Sequence, residues 1–235
     1  MRVIQETKYL YRLTRFGMIN CFLVQEDDGF TLVDTSVAAS SSSILAIAER
    51  FDNTIQRVVL THAHLDHAGS LDALCSQLPG VGVFVSSREA RLLDGDFSLD
   101  PGEHGKRLFG FVRARSRPSS TLEDGDCIGS LQAIFAPGHT PGHMAYLDVR
   151  DGSLLAGDAF TTQMGLVAAG VFKFSFPFPA LFSWDPRSSA ETAKKLRGLN
   201  PVRLAVGHGK TLESPLAEMD RAIELAFRRC SKMLD

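Results

Sequence analysis

The stretch Thr61-His62-Ala63-His64-Leu65-Asp66-His67 constrains this chain more than any other. Three imidazoles and a carboxylate fall between His62 and His67, directly after the apolar run Val58-Val59-Leu60, which reads as a buried strand. Side chains alternate faces along extended backbone, so His62 and His64 point the same way. Two neutral imidazoles on one side of a strand end can hold one metal ion. Asp66 and His67 turn toward an adjacent position, and one ion cannot easily use all four groups, so two ions side by side are expected. The competing reading is a polar loop that caps the next helix, with Asp66 as a first-turn acid. Against it stands the cost of crowding three histidines and a carboxylate without a cation to share. The spacing therefore reads as a metal motif.

The rest of the chain supplies more strand ends. Residues 18 to 25 and 30 to 33 run apolar around Asp28-Gly29, a hairpin signal. Asp34 follows the second strand. Ile44, Leu45, Ile47, Ala48 and Phe51 predict a helix over roughly 38 to 51. After the histidine motif, Ala68, Leu71, Leu74 and Leu78 predict a helix that stops at Pro79-Gly80. Val81–Val85 reads as a strand and Ser87–Leu93 as a short helix. Ile128–Ala136, Met144–Val149, Ser153–Ala156 and Leu204–Val206 read as strands, and 161 to 184 as a long apolar loop. Asp185-Pro186 opens a helix that ends at Gly198. The last helix carries Leu212, Leu216, Met219, Ile223, Phe227 and Cys230 on one face, with Arg228, Arg229 and Lys232 complementing its C-terminal dipole.

One regularity emerges. His62, His139, Asp158 and His208 each follow a short apolar strand by one to three residues. Open sheets covered by helices place their sites outside the carboxyl ends of strands. Two strand-rich blocks with helices before and after predict an α/β fold of two packed sheets covered outside by helices.

Composition excludes several partners. With 235 residues, one domain over 1–235 is expected. The net charge is -2, which gives no general attraction for nucleic acid or a membrane surface. No apolar run approaches a membrane span, and the N-terminus lacks the apolar core of a secretory signal. Cys21, Cys75, Cys127 and Cys230 are far apart, so reduced cysteines and a cytoplasmic location are expected. Residues 94 to 120 interleave Lys106, Arg107, Arg113, Arg115 and Arg117 with Phe109 and Phe111. Acids flank them, so a salt-bridged, solvated insertion is expected over a nucleic-acid contact. A third option is an arginine that recognises a substrate carboxylate.

His62-x-His64-x-Asp66-His67 resembles the signature of the metallo-β-lactamase superfamily. Gly138-His139-Thr140-Pro141-Gly142-His143 resembles its second histidine motif, Gly157-Asp158 its bridging carboxylate, Gly207-His208 its last ligand and Val33-Asp34-Thr35 its structural aspartate motif. The resemblance implies an αββα sandwich with two mixed sheets, helices on the outer faces and metals at one edge. It implies a first ion on His62, His64 and His139, a second on Asp66, His67 and His208, and Asp158 bridging both. Five of the seven histidines fall in this set. Asp34 is expected to orient the metal loop, with Thr140 in a similar role, His143 to bond a ligand, and His104 to be a surface residue. Two divalent ions, zinc first and iron or manganese next, are expected. They imply a hydrolase in which a metal-bound hydroxide attacks a carbonyl, with Asp66 orienting it and taking its proton.

The second histidine motif resembles the glyoxalase II and lactonase branches, which implies a small ester, lactone or thioester as substrate. β-Lactam hydrolysis and a mononuclear-iron oxidoreductase resembling the sulfur dioxygenases are the alternatives. The loop from Gly165 to Trp184 is the most apolar irregular segment. It follows Asp158, so Phe172, Phe174 and Phe176 are expected either to line a pocket for the acyl group or to pack, on the sandwich or in a homodimer interface.

Overall fold

The first strands carry more polar side chains than a buried sheet usually does. In the computed structural model, which describes residues 1–105, 108–174 and 176–231, β1 (Arg2–Gln5) pairs antiparallel with β2 (Leu10–Arg15). Arg12 and Thr14 of β2 are buried, and that hides the strand from a hydrophobicity pattern. Their burial is compensated: Arg12 Nε donates to Glu6 Oε1 at 2.6 Å, and Thr14 Oγ1 donates to Asn20 Oδ1 at 2.8 Å. By its internal contacts the chain divides into two compact units, Met1–Asp96 with Gly110–Glu123, and Phe97–Phe109 with Asp124–Asp235.

The first unit holds a mixed seven-stranded sheet in the order β1-β2-β3-β4-β5-β6-β7. The expected hairpin is β3 (Ile19–Glu26) and β4 (Gly29–Val33), closed with Glu26 opposite Gly29. Gly29 has φ +145°, and a Cβ there would lie 2.7 Å from the Thr54 carbonyl oxygen, so only glycine fits. From β4 onward the strands run parallel: β5 (Ile55–Val59), β6 (Gly82–Ser86) and β7 (Ser120–Leu122). Parallel neighbours need crossovers, and helices supply them. α1 (Ser41–Glu49) joins β4 to β5. α2 (Leu65–Ala68) and α3 (Leu71–Gln77) join β5 to β6, where one helix was expected. α4 (Ser87–Leu93) follows β6. Ile44, Leu71, Leu74 and Leu92 are fully buried, each worth roughly 2 kcal/mol of burial.

The second unit holds a mixed six-stranded sheet in the order β15-β14-β11-β10-β9-β8. The strand expected over 128 to 136 is broken at Gly129-Ser130 into β8 (Cys127–Ile128) and β9 (Leu131–Phe135), which pair as a hairpin. β10 (Met144–Asp148) and β11 (Ser153–Leu155) continue antiparallel. The apolar segment expected as one loop contains β12 (Phe160–Thr161), β13 (Val167–Ala168) and α5 (Phe178–Phe182). α6 (Pro186–Gly198) starts where expected, because the Asp185 carboxylate accepts the backbone N–H groups of Arg187 and Ser188. β14 (Arg203–Ala205) lies parallel to β11. Leu212 sits in β15 (Leu212–Glu213) rather than in the last helix, α7 (Leu216–Ser231). Ala190, Ala193 and Leu196 of α6 and Met219, Ala222 and Ala226 of α7 form one core with Ile134, Leu154 and Leu204 of the strands and Val206 just beyond β14. Small residues at the helix contact let the two helices lie close on the sheet.

Candidate metal centre

In the first unit, register decides where the candidate ligands emerge. Val33, Val59 and Phe84 lie side by side on β4, β5 and β6. The ladder continues beyond the strands: Asp34 N donates to Val59 O at 2.9 Å and Leu60 N to Phe84 O at 3.0 Å. The Asp34 loop, the histidine motif and the first turn of α4 therefore leave the sheet at one edge.

Asp34 organises the motif. Its Oδ1 accepts the Thr61 backbone N–H at 2.8 Å, and its Oδ2 accepts the Thr61 hydroxyl at 2.8 Å and lies 2.7 Å from His67 Nδ1. An ionised carboxylate has no proton to give, so Nδ1 of His67 carries the hydrogen and Nε2 becomes its electron-pair donor. Thr61 gives its only proton to Asp34, so at 3.0 Å from His62 Nδ1 its oxygen accepts. His62 is thereby set in the same tautomer. Both are the arrangement a histidine needs to bind metal through Nε2.

The backbone around Asp34 is strained. Asp34, Ser36 and Ala39 have φ of +60°, +59° and +62°, a region uncommon outside glycine that costs about 1–3 kcal/mol per residue. Thr35 helps to hold it, donating from N and Oγ1 to His67 O at 2.5 and 2.9 Å and accepting Ser70 N–H on Oγ1 at 3.2 Å.

His62, His64 and His67 are buried together. The His62 ring centroid lies 4.7 Å from that of His64 and 4.1 Å from that of His67. The His64 ring rests on Phe111 at 4.5 Å. Asp66 is in the first turn of α2 and partly exposed. One participant was not foreseen. Glu89 of α4 is fully buried and its Oε2 accepts the Ala63 backbone N–H at 2.8 Å. The only signal in the sequence is Ser86-x-x-Glu89, which reads as an ordinary capping box; Ser86 Oγ does accept Glu89 N–H at 3.2 Å.

In the second unit, β9, β11 and β14 run in one direction, with β10 antiparallel to its two neighbours. Their carboxyl ends lead to His139, Asp158 and His208 at one edge of the sheet. Pairing persists past the strands, with Ala156 N donating to Ala205 O at 2.8 Å and Gly207 N to Gly157 O at 2.9 Å. Asp158 Oδ2 lies 3.4 Å from His139 Nε2 and 3.2 Å from His208 Nε2. His143, immediately before β10, accepts the Asp158 backbone N–H on Nε2 at 3.1 Å. His139 Nδ1 faces Ser183 Oγ at 3.3 Å, and the His208 carbonyl accepts from Thr161 Oγ1 and Thr162 N, both at 3.0 Å. Gly138 has φ +132°, and a Cβ there would lie 2.3 Å from Ser189 N, so the turn before His139 requires glycine.

A carboxylate oxygen set against two imidazole Nε2 atoms shares either protons or a cation with them. Buried imidazoles with Nδ1 engaged, together with carboxylates, form a donor set that suits zinc, iron or manganese. The histidines and carboxylates in each unit are of the donor types that divalent ions take.

The other expected participants are placed as follows. Thr140 is buried, and its carbonyl accepts the Gly138 N–H at 3.0 Å. His104 is exposed. Lys106, Arg107 and Lys232 lie outside the described residues. Asp72 of α3 accepts the Arg115 and Ser116 backbone N–H groups at 3.0 and 2.8 Å, and Arg117 pairs with Asp94. Burial pulls the Asp72 carboxyl up, but the Arg115 and Ser116 N–H groups outweigh it and hold its pKa below the ordinary carboxylate value. In the apolar segment, Phe176 is 7% exposed with its ring 5.7 Å from that of His208, whereas Phe174 is 94% exposed. Among the described residues, no helix is long and apolar enough to cross a membrane.

Comparison with known proteins places the chain among relatives that match most of its length. YobT of Bacillus subtilis (strain 168), described as uncharacterized, is 40% identical over 231 residues, covering 96% of this chain and 99% of its own. The probable metallo-hydrolase YflN of the same organism is 30% identical over 228 residues, covering 85% of this chain and 86% of its own. The crystal structure of TTHA1623 in a di-iron-bound form matches with a TM-score of 0.63 at 24% identity, over 86% of this chain and 93% of that one, which shows the fold. The profile of the metallo-beta-lactamase superfamily matches residues 14–208. With that match across most of its length, the chain belongs to the metallo-β-lactamase superfamily of hydrolases.

Proposed function

We propose that the chain hydrolyses a small carboxylic ester, lactone or thioester with two divalent metal ions, and that its two units work as one catalytic domain. The reading is carried by the tautomers that Asp34 and Thr61 impose on His67 and His62, which direct two Nε2 atoms as ligands from one short motif. His62, His64 and His139 would hold one ion, Asp66, His67 and His208 the other, with Asp158 shared. Bound ions would supply Lewis acidity toward a carbonyl oxygen and bring the pKa of water toward neutrality. The protein's own part is to hold the ligands and move the proton. Asp66 is the carboxylate left partly exposed in the motif, so it can orient the attacking water and accept its proton. His143 fixes the Asp158 backbone, and Asp34 keeps two imidazoles in the ligating tautomer.

Zinc is the first choice of metal on ligand type. Iron is the alternative, favoured by the di-iron form in which TTHA1623 was solved. The acyl part of the substrate would lie along Phe172, Phe174 and Phe176, since Phe176 touches His208 and the other two are open to solvent. A second copy of the chain covering Phe172, Phe174 and Phe178 is the competing use of that surface, and sedimentation separates the two.

The test is metal per chain after reconstitution, combined with hydrolysis of lactones, thioesters and β-lactams. Two ions and turnover of an ester, lactone or thioester support the reading. One iron per chain with no hydrolysis supports an oxidoreductase on the same fold, and turnover confined to β-lactams replaces the substrate class.

A further inference from the structure

The segment Ala63–Leu65 is held on both sides within the first unit. On one side, Val112 N donates to Ala63 O at 2.9 Å and Leu65 N to Gly110 O at 3.0 Å. On the other, Glu89 Oε2 accepts the Ala63 N–H at 2.8 Å. Ala63 is the residue between His62 and His64. Its peptide orientation fixes the angle between the two imidazoles, because successive side chains of extended backbone take opposite faces about it. Glu89 is suited to this work. It is fully buried on α4. Its own N–H is tied to Ser86 Oγ, and Ser86 ends β6, which is in register with β5. The carboxylate therefore stands on a rigid element that shares a sheet with the strand delivering the histidines.

We propose that Glu89 is a positioning residue for the metal ligands, setting the His62–His64 geometry through the Ala63 N–H and thereby raising metal affinity. This rests on the metal-binding reading above and adds a residue with no ligand or catalytic part in it. Loss of a group that orients metal ligands costs about 10- to 100-fold in affinity.

The experiment uses the full chain and reads metal, not turnover. Glu89→Gln keeps a carbonyl oxygen at the same reach; Glu89→Asp keeps the charge but withdraws it by one methylene. Zinc affinity is measured by competition with a chromophoric chelator, the visible spectrum is recorded after loading with cobalt(II), and the metal-free melting temperature is taken for each protein. The expected result is a loss of about 10- to 100-fold in affinity and an altered cobalt spectrum for Glu89→Asp, with Glu89→Gln close to the native protein in both. A Glu89→Asp protein with native affinity and spectrum overturns the proposal. So does a Glu89→Gln protein as weak as Glu89→Asp, because charge and not the hydrogen bond is then at work. Equal falls in metal-free melting temperature without any change in affinity also overturn it, leaving Glu89 a packing role. A native chain that takes up no metal overturns the hydrolase reading and this one with it, whereas a native chain that binds metal but hydrolyses nothing leaves the Glu89 comparison intact.

Discussion

The two units present their proposed metal ligands in opposite ways. In the first, His62, His64, Asp66 and His67 come from one continuous stretch, and distant groups, Asp34 and Glu89, come to hold it. In the second, His139, Asp158 and His208 come from three separate strand ends, and strand register brings them together. A contiguous motif costs little chain entropy to assemble but leaves its side chains in many arrangements, so buried hydrogen bonds have to choose one. A set delivered by parallel strands is placed by the sheet, and needs only glycine where the backbone passes close, as at Gly138. The first half is therefore expected to fail by misorientation and the second by misfolding of a turn.

The sharpest test of that contrast is Asp66→Asn. If the first half carries the proton transfer, hydrolysis falls by about 100- to 10,000-fold with the melting temperature nearly unchanged, while His104→Ala leaves the rate near native. Equal damage from both substitutions would break the assignment.

Next in size is Asp34→Ala. It strands the Thr61 N–H, the Thr61 hydroxyl and His67 Nδ1 in a buried site. A loss of about 1–3 kcal/mol in folding stability per stranded group is expected, together with metal affinity lower by about 10- to 100-fold. Urea denaturation and chelator competition measure the two effects. Stability lost with affinity retained would mean that the first half needs no orienting carboxylate.

For the second half, Gly138→Ala forces a Cβ against Ser189 N and a side chain into positive φ. A loss of at least about 1–3 kcal/mol is expected. Metal bound per folded chain should be unchanged, read by thermal melting and elemental analysis. A native-like melting temperature would remove the distinction drawn here.

Smaller still is the effect expected at the proposed acyl wall. Each added methylene in a lactone or thioester series should raise kcat/KM about fourfold, from about 0.8 kcal/mol of burial, until the surface is covered. Phe174→Ala should flatten that rise without loss of metal, and its exposure means the fold is not disturbed. A series flat from the shortest member onward leaves the aromatic residues with packing or association only.

The least effect is expected at Asp72, which ties α3 to Arg115 and Ser116. Its folded pKa is lowered, so its stabilising contribution is present above the ordinary carboxylate pKa and is lost as pH falls through the folded value. Asp72→Asn should lower the melting temperature slightly at neutral pH, and the difference should vanish in acid. A difference that grows in acid would reverse the sign of this linkage.

Local chemistry made part of this protein legible from its residues alone. The strands at Ile55–Val59 and Ser153–Leu155, the helix from Pro186 and the ligand types after each strand all follow from side-chain pattern and capping within a few positions. β2 escaped because its buried partners are polar, and the 161 to 184 segment escaped because short strands and one helical turn leave no period to detect. Tertiary structure alone decided the tautomers of His62 and His67 and the clamp on Ala63. Those depend on partners 33 residues away for Asp34 with His67 and 26 for Ala63 with Glu89. Hydrogen bonds of that span appear only once the parallel register of β4, β5 and β6 has brought their ends together, and register is a property of the sheet rather than of any one strand.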